Sequence, residues 1–253
     1  MYYQAFKTIV VKEYLRFIRI WIQTILPPVI TTALYFIIFG QLIGSQIGEM
    51  DGFRYIDYIV PGLILMAVIT NAYANVVSSF FSAKYQRHIE EMLVSPTPNY
   101  IILLGFVAGG VARGLVVALA VTLVSLYFSD LEIQHYGITL SIVVLTSVLF
   151  ALAGFTNGIF AKSFDDISII PTFVLTPLTY LGGIFYTIKM LPEFWQQLSL
   201  INPILYMING FRYGILGSSD INIVTSYLII LAFIAGLFLF NLRLLNKGYG
   251  IRT

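Results

Sequence analysis

Gly137-Ile-Thr-Leu-Ser-Ile-Val-Val-Leu-Thr-Ser-Val-Leu-Phe-Ala-Leu-Ala-Gly-Phe-Thr-Asn-Gly-Ile-Phe160 contains no ionisable side chain from end to end. A helix needs about 20 apolar residues to cross the hydrocarbon core of a bilayer, and this stretch supplies them. Five more stretches are about as long and mostly apolar: Ile22–Ile43, Tyr58–Phe81, Ile101–Phe128, Ile167–Tyr186 and Ile223–Leu245. They predict an all-α, polytopic membrane protein of six transmembrane helices.

Composition agrees with that reading. Of the 253 residues, 58% are hydrophobic and 10% charged, against about 25% charged in an average soluble domain. A soluble fold of this size could not hide so much apolar surface. An ordinary soluble enzyme, a disordered chain and a basic nucleic-acid-binding domain are therefore excluded, and no nucleic-acid partner is expected. Cysteine is absent and the only histidines are His88 and His135. No disulfide or thiolate metal site is possible, and no metal site is expected.

The fourteen cations give the orientation. Lys7, Lys12, Arg16, Arg19, Lys84, Arg87, Lys162, Arg243, Lys247 and Arg252 fall on one side of the six spans. Arg54, Lys189 and Arg212 fall on the other, and Arg113 lies within a span. The positive-inside rule places both termini in the cytoplasm.

On a helical wheel of residues 6–21, Val10, Tyr14, Phe17 and Trp21 share one face, and Lys12, Arg16 and Arg19 lie opposite. The pattern predicts an amphipathic helix able to lie in the membrane surface. Between spans two and three, Lys84-Tyr-Gln-Arg-His-Ile-Glu-Glu-Met-Leu-Val-Ser-Pro96 is strongly charged. Ile89, Met92 and Leu93 would line one edge of a short helix ending before Pro96. A partner could accept that edge in a groove; a solvated loop is the plainer alternative.

Polar residues inside the spans must face protein or water. Asn71 and Asn75, one turn apart, either line a route or bond neighbouring helices. The fifth span holds Pro171, Thr172, Thr176, Pro177 and Thr179, which predicts a bent helix. Arg113 would snorkel or find an ion pair, and Gly109, Gly110 and Gly114 beside it permit a close helix approach. Asp165-Asp166 is placed to cap the fifth span. Segment 187–222 is too apolar for a solvated linker and too interrupted for a span. Short interfacial or re-entrant helices are its expected form. No catalytic constellation is found. Ala161-Lys-Ser163 fails as a phosphate loop because glycines are missing and a span, not a strand, precedes it.

Several segments, in order along the chain, carry a resemblance. Gly154-Phe-Thr-Asn-Gly-Ile-Phe-Ala161 is one. Leu181-Gly-Gly-Ile-Phe-Tyr186, Leu191-Pro192, Asn202-Pro203, Tyr206 and Gly210-Phe-Arg-Tyr213 follow. The sequence resembles the permease subunit of type-2 ATP-binding-cassette exporters over essentially its whole length. It is most similar to an inner-membrane branch of that family in Arg19-Ile-Trp-Ile-Gln-Thr24, Pro27-Pro28, Val60-Pro-Gly62, Thr70-Asn-Ala-Tyr-Ala-Asn75 and Phe164-Asp-Asp-Ile-Ser168.

The resemblance implies one permease domain, 1–253: a connecting helix (1–21) carrying Lys12, Arg16 and Arg19, a six-span bundle (22–245) and a cytoplasmic tail (246–253). It implies an ATPase-coupling segment with Arg87, His88, Glu90, Glu91, Leu93 and Pro96. Asn71, Asn75, Thr172, Thr176 and Thr179 would line the pathway. Phe185, Tyr186, Pro192, Trp195, Asn202, Pro203 and Tyr206 would belong to an external gate. Two copies of the chain would work with two copies of an ABC ATPase in the bacterial inner membrane, among membrane lipids. ATP and Mg would bind that partner, and no cofactor this chain. A secondary transporter working alone is the alternative, which the lack of a central carboxylate disfavours.

Overall fold

The computed structural model describes residues 2–250, so Arg252 of the cytoplasmic cation group lies outside the described residues. Helix α1 (Tyr2–Arg19) is followed by α2 (Trp21–Ile47), α3 (Tyr55–Tyr85), α4 (His88–Val94), α5 (Asn99–Phe128) and α6 (Tyr136–Phe160). Then come a broken segment α7 (166–180), α8 (Glu193–Ile201), α9 (Pro203–Leu216) and α10 (Ile223–Lys247). The described residues are otherwise irregular except for a 3-10 turn and a two-stranded hairpin, β1 (Glu49–Met50) against β2 (Phe53–Arg54). Asp51 and Gly52 close it with positive φ, as a two-residue hairpin turn requires.

Five helices, α2, α3, α5, α6 and α10, are long and apolar enough to cross a membrane. The expected fifth span differs from its reading: its helix stops at Tyr180 rather than Tyr186. It consists of three five-residue pieces, the middle one π-wound over Pro171–Leu175. At a rise of 1.5 Å per residue it is about 22 Å long, shorter than a hydrocarbon core of about 30 Å. The cause is the proline pair. Each proline removes an N–H, and threonine hydroxyls take up nearby carbonyls: Thr176 Oγ1 donates to Pro171 O at 2.9 Å and Thr179 Oγ1 to Thr176 O at 2.8 Å. Pro27-Pro28 acts in the same way on α2, which is interrupted at Ile25. Asp166, not Asp165, makes the cap-like bonds before α7. Its carboxylate accepts from the Lys162 and Ser163 N–H groups, and its own N–H donates to Ser163 Oγ.

α3 is the central post. In its most apolar window 83% of residues are buried, against 17% for α2 and 11% for α10, whose apolar surfaces are left for lipid or another chain. Its main neighbours are α5, α6 and α9. α9 sinks into the bundle with Ile204, Leu205, Met207, Ile208 and Phe211 buried, so this segment forms short helices as expected. At one end of the bundle Phe80, Phe106 and Phe155 form an aromatic knot under Ile9 and Ile89.

Small residues set the helix spacing. A Cβ on Gly154 of α6 would lie 2.5 Å from the Tyr73 carbonyl oxygen of α3. Backbone cannot yield as a flexible side chain can. Gly154→Ala is therefore predicted to cost about 1–3 kcal/mol, read as a lowered thermal unfolding temperature of the detergent-purified protein. An unchanged temperature would contradict the close α3–α6 contact.

Candidate permeation face and its polar support

α3 carries two edges of interest, one accessible and one polar and buried. Met66, Thr70 and Ala74, each four residues on, form a stripe that remains accessible on the protomer surface. On one side of it α2 and α5 enclose a cavity of about 340 Å³ lined by Gln23, Pro27, Thr31, Tyr35, Asn71 and Arg113. On the other side a cavity of about 220 Å³ is walled by Pro171, Thr172, Thr176 and Thr179 of α7. Met66, Thr70 and Ala74 line both. The two cavities therefore form one open face, apolar with spaced hydroxyls, framed by α2, α3 and α7.

The sequence-derived lining residues divide on this face. Asn71, Thr172, Thr176 and Thr179 are brought to it. Asn75 is not: it is fully buried on the neighbouring edge of α3. Thr31, Tyr35 and Thr70 belong to the face and escaped the sequence reading, and Arg113, singled out there as an intramembrane cation, lines it too. The Met66/Thr70/Ala74 spacing was the available signal, obscured because the chain there is apolar on every side.

The second edge of α3 is Asn71, Asn75 and Ser79, again at steps of four. Each position is met by an ionisable group from another helix. Arg113 of α5 donates to Asn71 Oδ1 at 2.8 Å and to the Thr24 carbonyl at 3.4 Å. Among the described residues it forms no ion pair; an amide and a carbonyl hold it. Arg16 of α1 donates to both Asn75 O and Asn75 Oδ1 at 2.8 Å. Ser79 Oγ donates to Glu13 Oε1 at 2.6 Å, and Glu13 Oε2 lies 3.4 Å from Arg16 Nε.

This geometry corrects the wheel of α1. Its inward face is Ile9, Glu13 and Phe17, with Arg16 turned in beside them. Tyr14 and Trp21 are exposed, and so are Lys12 and Arg19. Lys12 reaches over the Phe106 ring at 5.9 Å. Glu13 is fully buried. Its signal was its place four residues from both Ile9 and Phe17, and its partner surface is prepared by glycines. A Cβ on Gly105 would strike Ile9, and one on Gly109 would lie 2.5 Å from the Glu13 Cβ. The wheel failed because charge was taken as a marker of the water-facing side, whereas here opposite charges and amides neutralise one another inside.

α4 leaves the end of α3 through a turn at Arg87, whose φ of 62° is left-handed. It ends before Pro96, as its sequence predicts. Ile89 is buried in the bundle and Leu93 half-buried, while Arg87, His88, Glu90, Glu91 and Pro96 are exposed. The segment is a short ordered helix held by one apolar anchor, with its charges facing outward.

At the opposite end, Phe185 and Tyr186 follow the Gly182-Gly183 turn. Their carbonyls accept from Tyr55 Oη (3.2 Å) and Tyr58 Oη (3.4 Å). Asn202 joins α9 to α7, accepting from Ile204 N–H at 3.0 Å and donating to Leu178 O at 2.6 Å. Pro203 begins α9, and Tyr206 Oη donates to Leu200 O at 2.7 Å. Pro192 and Trp195 are exposed at the start of α8. Arg212, counted in sequence as an external loop cation, is instead only 2% exposed. It stacks on Tyr58 with its guanidinium carbon 3.9 Å from the ring centroid and donates to Gly183 O at 2.6 Å. It pins the outer turn to α3 and α9.

The Glu13–Arg16 pair yields a direct test. Arg16→Met leaves a buried carboxylate unpaired and is predicted to cost about 3–5 kcal/mol. Adding Glu13→Gln is predicted to recover most of that loss in a thermal unfolding cycle. Additive losses would contradict the pairing.

The family model described as ABC-2 type transporter matches residues 4–216. The chain is similar to the inner membrane transport permease YadH of Escherichia coli K12, at 58% identity over 253 residues that cover 100% of this chain and 99% of that protein. It is more distantly similar to nodulation protein J of Rhizobium leguminosarum bv. viciae, at 24% identity over 240 residues, 93% of this chain and 92% of that protein. With its bundle of apolar helices and its match from α1 to the end of α9, the chain belongs to the ABC-2 type transporter family as a membrane-embedded permease subunit of an ABC exporter.

Proposed function

We propose that two copies of this permease enclose an export pathway between their α2–α3–α7 faces, and that a separate ABC ATPase drives it, one copy on each permease. The observation that carries this reading is the open face itself. In a single chain Thr70, Thr172 and Thr176 stay exposed along a mostly apolar surface. A second copy would convert two half-lined faces into one enclosed route. The combination of Met66, Leu63 and Tyr35 with spaced hydroxyls suits a lipidic or amphipathic solute.

In this reading both termini and α4 are cytoplasmic in the inner membrane, as the cation distribution supports. Arg87, His88, Glu90, Glu91, Leu93 and Pro96 form the docking helix for the ATPase. α1, with Lys12, Arg16 and Arg19, is the connecting helix beside it. Residues Phe185, Tyr186, Pro192, Trp195, Asn202, Pro203 and Tyr206 belong to the outer gate, where Arg212 and Asn202 brace the turn against the bundle. ATP and Mg are held by the ATPase. A lone ion-coupled transporter fits less well: among the described residues neither cavity of the face is lined by a carboxylate, and Arg113 is its only ionisable cation.

Co-expression with the ATPase encoded beside this chain tests the reading. The intact complex is expected to co-purify and to hydrolyse ATP. Charge reversal at Glu90 and Glu91, which leaves buried Ile89 untouched, is expected to reduce permease-stimulated hydrolysis about tenfold or more. Failure to associate, or unchanged stimulation in the charge-reversed complex, would refute it.

A further inference from the structure

A separate hollow of about 450 Å³ opens where α3, α6 and the turn after α10 end. Lys84, Arg87 and Lys162 line it, with Glu90 as its one carboxylate. Lys84 is fixed there: its ammonium donates to Ile159 O at 2.6 Å and Ala161 O at 2.7 Å, carbonyls left open at the end of α6. Those bonds use two of its three N–H groups. Among the described residues, neither Arg87 nor Lys162 is in an ion pair with a carboxylate. Arg87 occupies the left-handed region at φ 62°, a conformation a bulky residue holds only when its surroundings impose it. Three cations thus converge on one cavity that offers, among the described residues, a single counter-charge.

The walls are aromatic. Phe81, Tyr85, Phe160 and Tyr249 line it; Phe160 meets Tyr249 at 5.6 Å, and Phe164, outside the lining, meets Phe81 edge-on at 4.9 Å. Phe160, Phe164 and Tyr249 are exposed on the outside of the bundle. The hollow lies at the ends of membrane-crossing helices, where rings border the headgroup layer and basic pockets meet anionic groups.

We propose that this hollow binds the phosphate of an anionic phospholipid headgroup, with the acyl chains against the exposed rings. Lys162 and Arg87 would contact the phosphate directly, and Lys84 would offer its remaining N–H. A free phosphate ion shares the headgroup chemistry but has no use for the aromatic border. The proposal rests on this face being cytoplasmic. In this cysteine-free chain, accessibility of a single Lys162→Cys to an impermeant thiol reagent tests that reading separately.

The experiment is native mass spectrometry of the intact, detergent-purified permease titrated with phosphatidylglycerol and, in parallel, phosphatidylcholine. Phosphatidylglycerol is expected to be retained about tenfold more strongly. The Arg87→Asn/Lys162→Gln variant should lose that preference, since asparagine tolerates the left-handed turn, and Lys162→Arg should keep it. Circular dichroism and size-exclusion profiles identify any variant that has misfolded. Millimolar inorganic phosphate should leave the lipid bound; complete displacement would assign the site to the free ion and overturn the lipid reading. Equal retention of the two lipids, or unchanged preference in the folded double variant, would also overturn it.

Discussion

In hydrocarbon there is no water to answer a buried charge, so every ionised group within this bundle must be answered by another part of the chain. That constraint organises the molecule around one edge of α3. Asn71, Asn75 and Ser79 stand one turn apart, and each engages a charged group brought by a different element: Arg113 from α5, and Arg16 and Glu13 from α1. Isolated, each would cost several kcal/mol to bury. Together they bind three helices along a line and determine how α1 can sit. Gly105 and Gly109 serve the same end, since any side chain there would push Ile9 and Glu13 away.

The arrangement explains how a helix outside the central bundle can act on it. α1 is bonded to α3 on the polar edge, while the adjacent stripe of α3 forms the open face. α4 continues from the foot of α3 and is anchored by Ile89. A displacement applied to α4 or α1 therefore reaches α3 through bonded contacts. At the other end, Tyr55 and Tyr58 of α3 hold the carbonyls of Phe185 and Tyr186. One rigid helix thus touches the charged helix α4, the open face and the turn at Gly182-Gly183.

The length and order of the long apolar helices, the short helix before Pro96 and the helical character of 187–222 were all legible in sequence, because lipid imposes a simple rule of length and polarity. The inward placement of Glu13, Arg16 and Arg212 was not. A sequence pattern registers that a residue is charged, but whether its partner lies across a helix interface depends on tertiary register. The shortened α7 was half legible: Pro171 and Pro177 announced a bend, whereas its end at Tyr180 depends on the Gly183 turn and on Arg212 reaching its carbonyl. Among the residues of the open face, Thr172, Thr176 and Thr179 were named through the family resemblance, and Thr70 was hidden within an apolar run.

The central claim is that α1 and the bundle move as one body. It is tested most directly by electron-electron distance measurement in the ATPase complex, with spin labels at Leu15 of α1 and Leu119 of α5, both exposed. The account predicts the same distance distribution in the nucleotide-free and ATP-trapped complexes. A shift of several ångströms between those states would show that α1 slides on α5 and would contradict it.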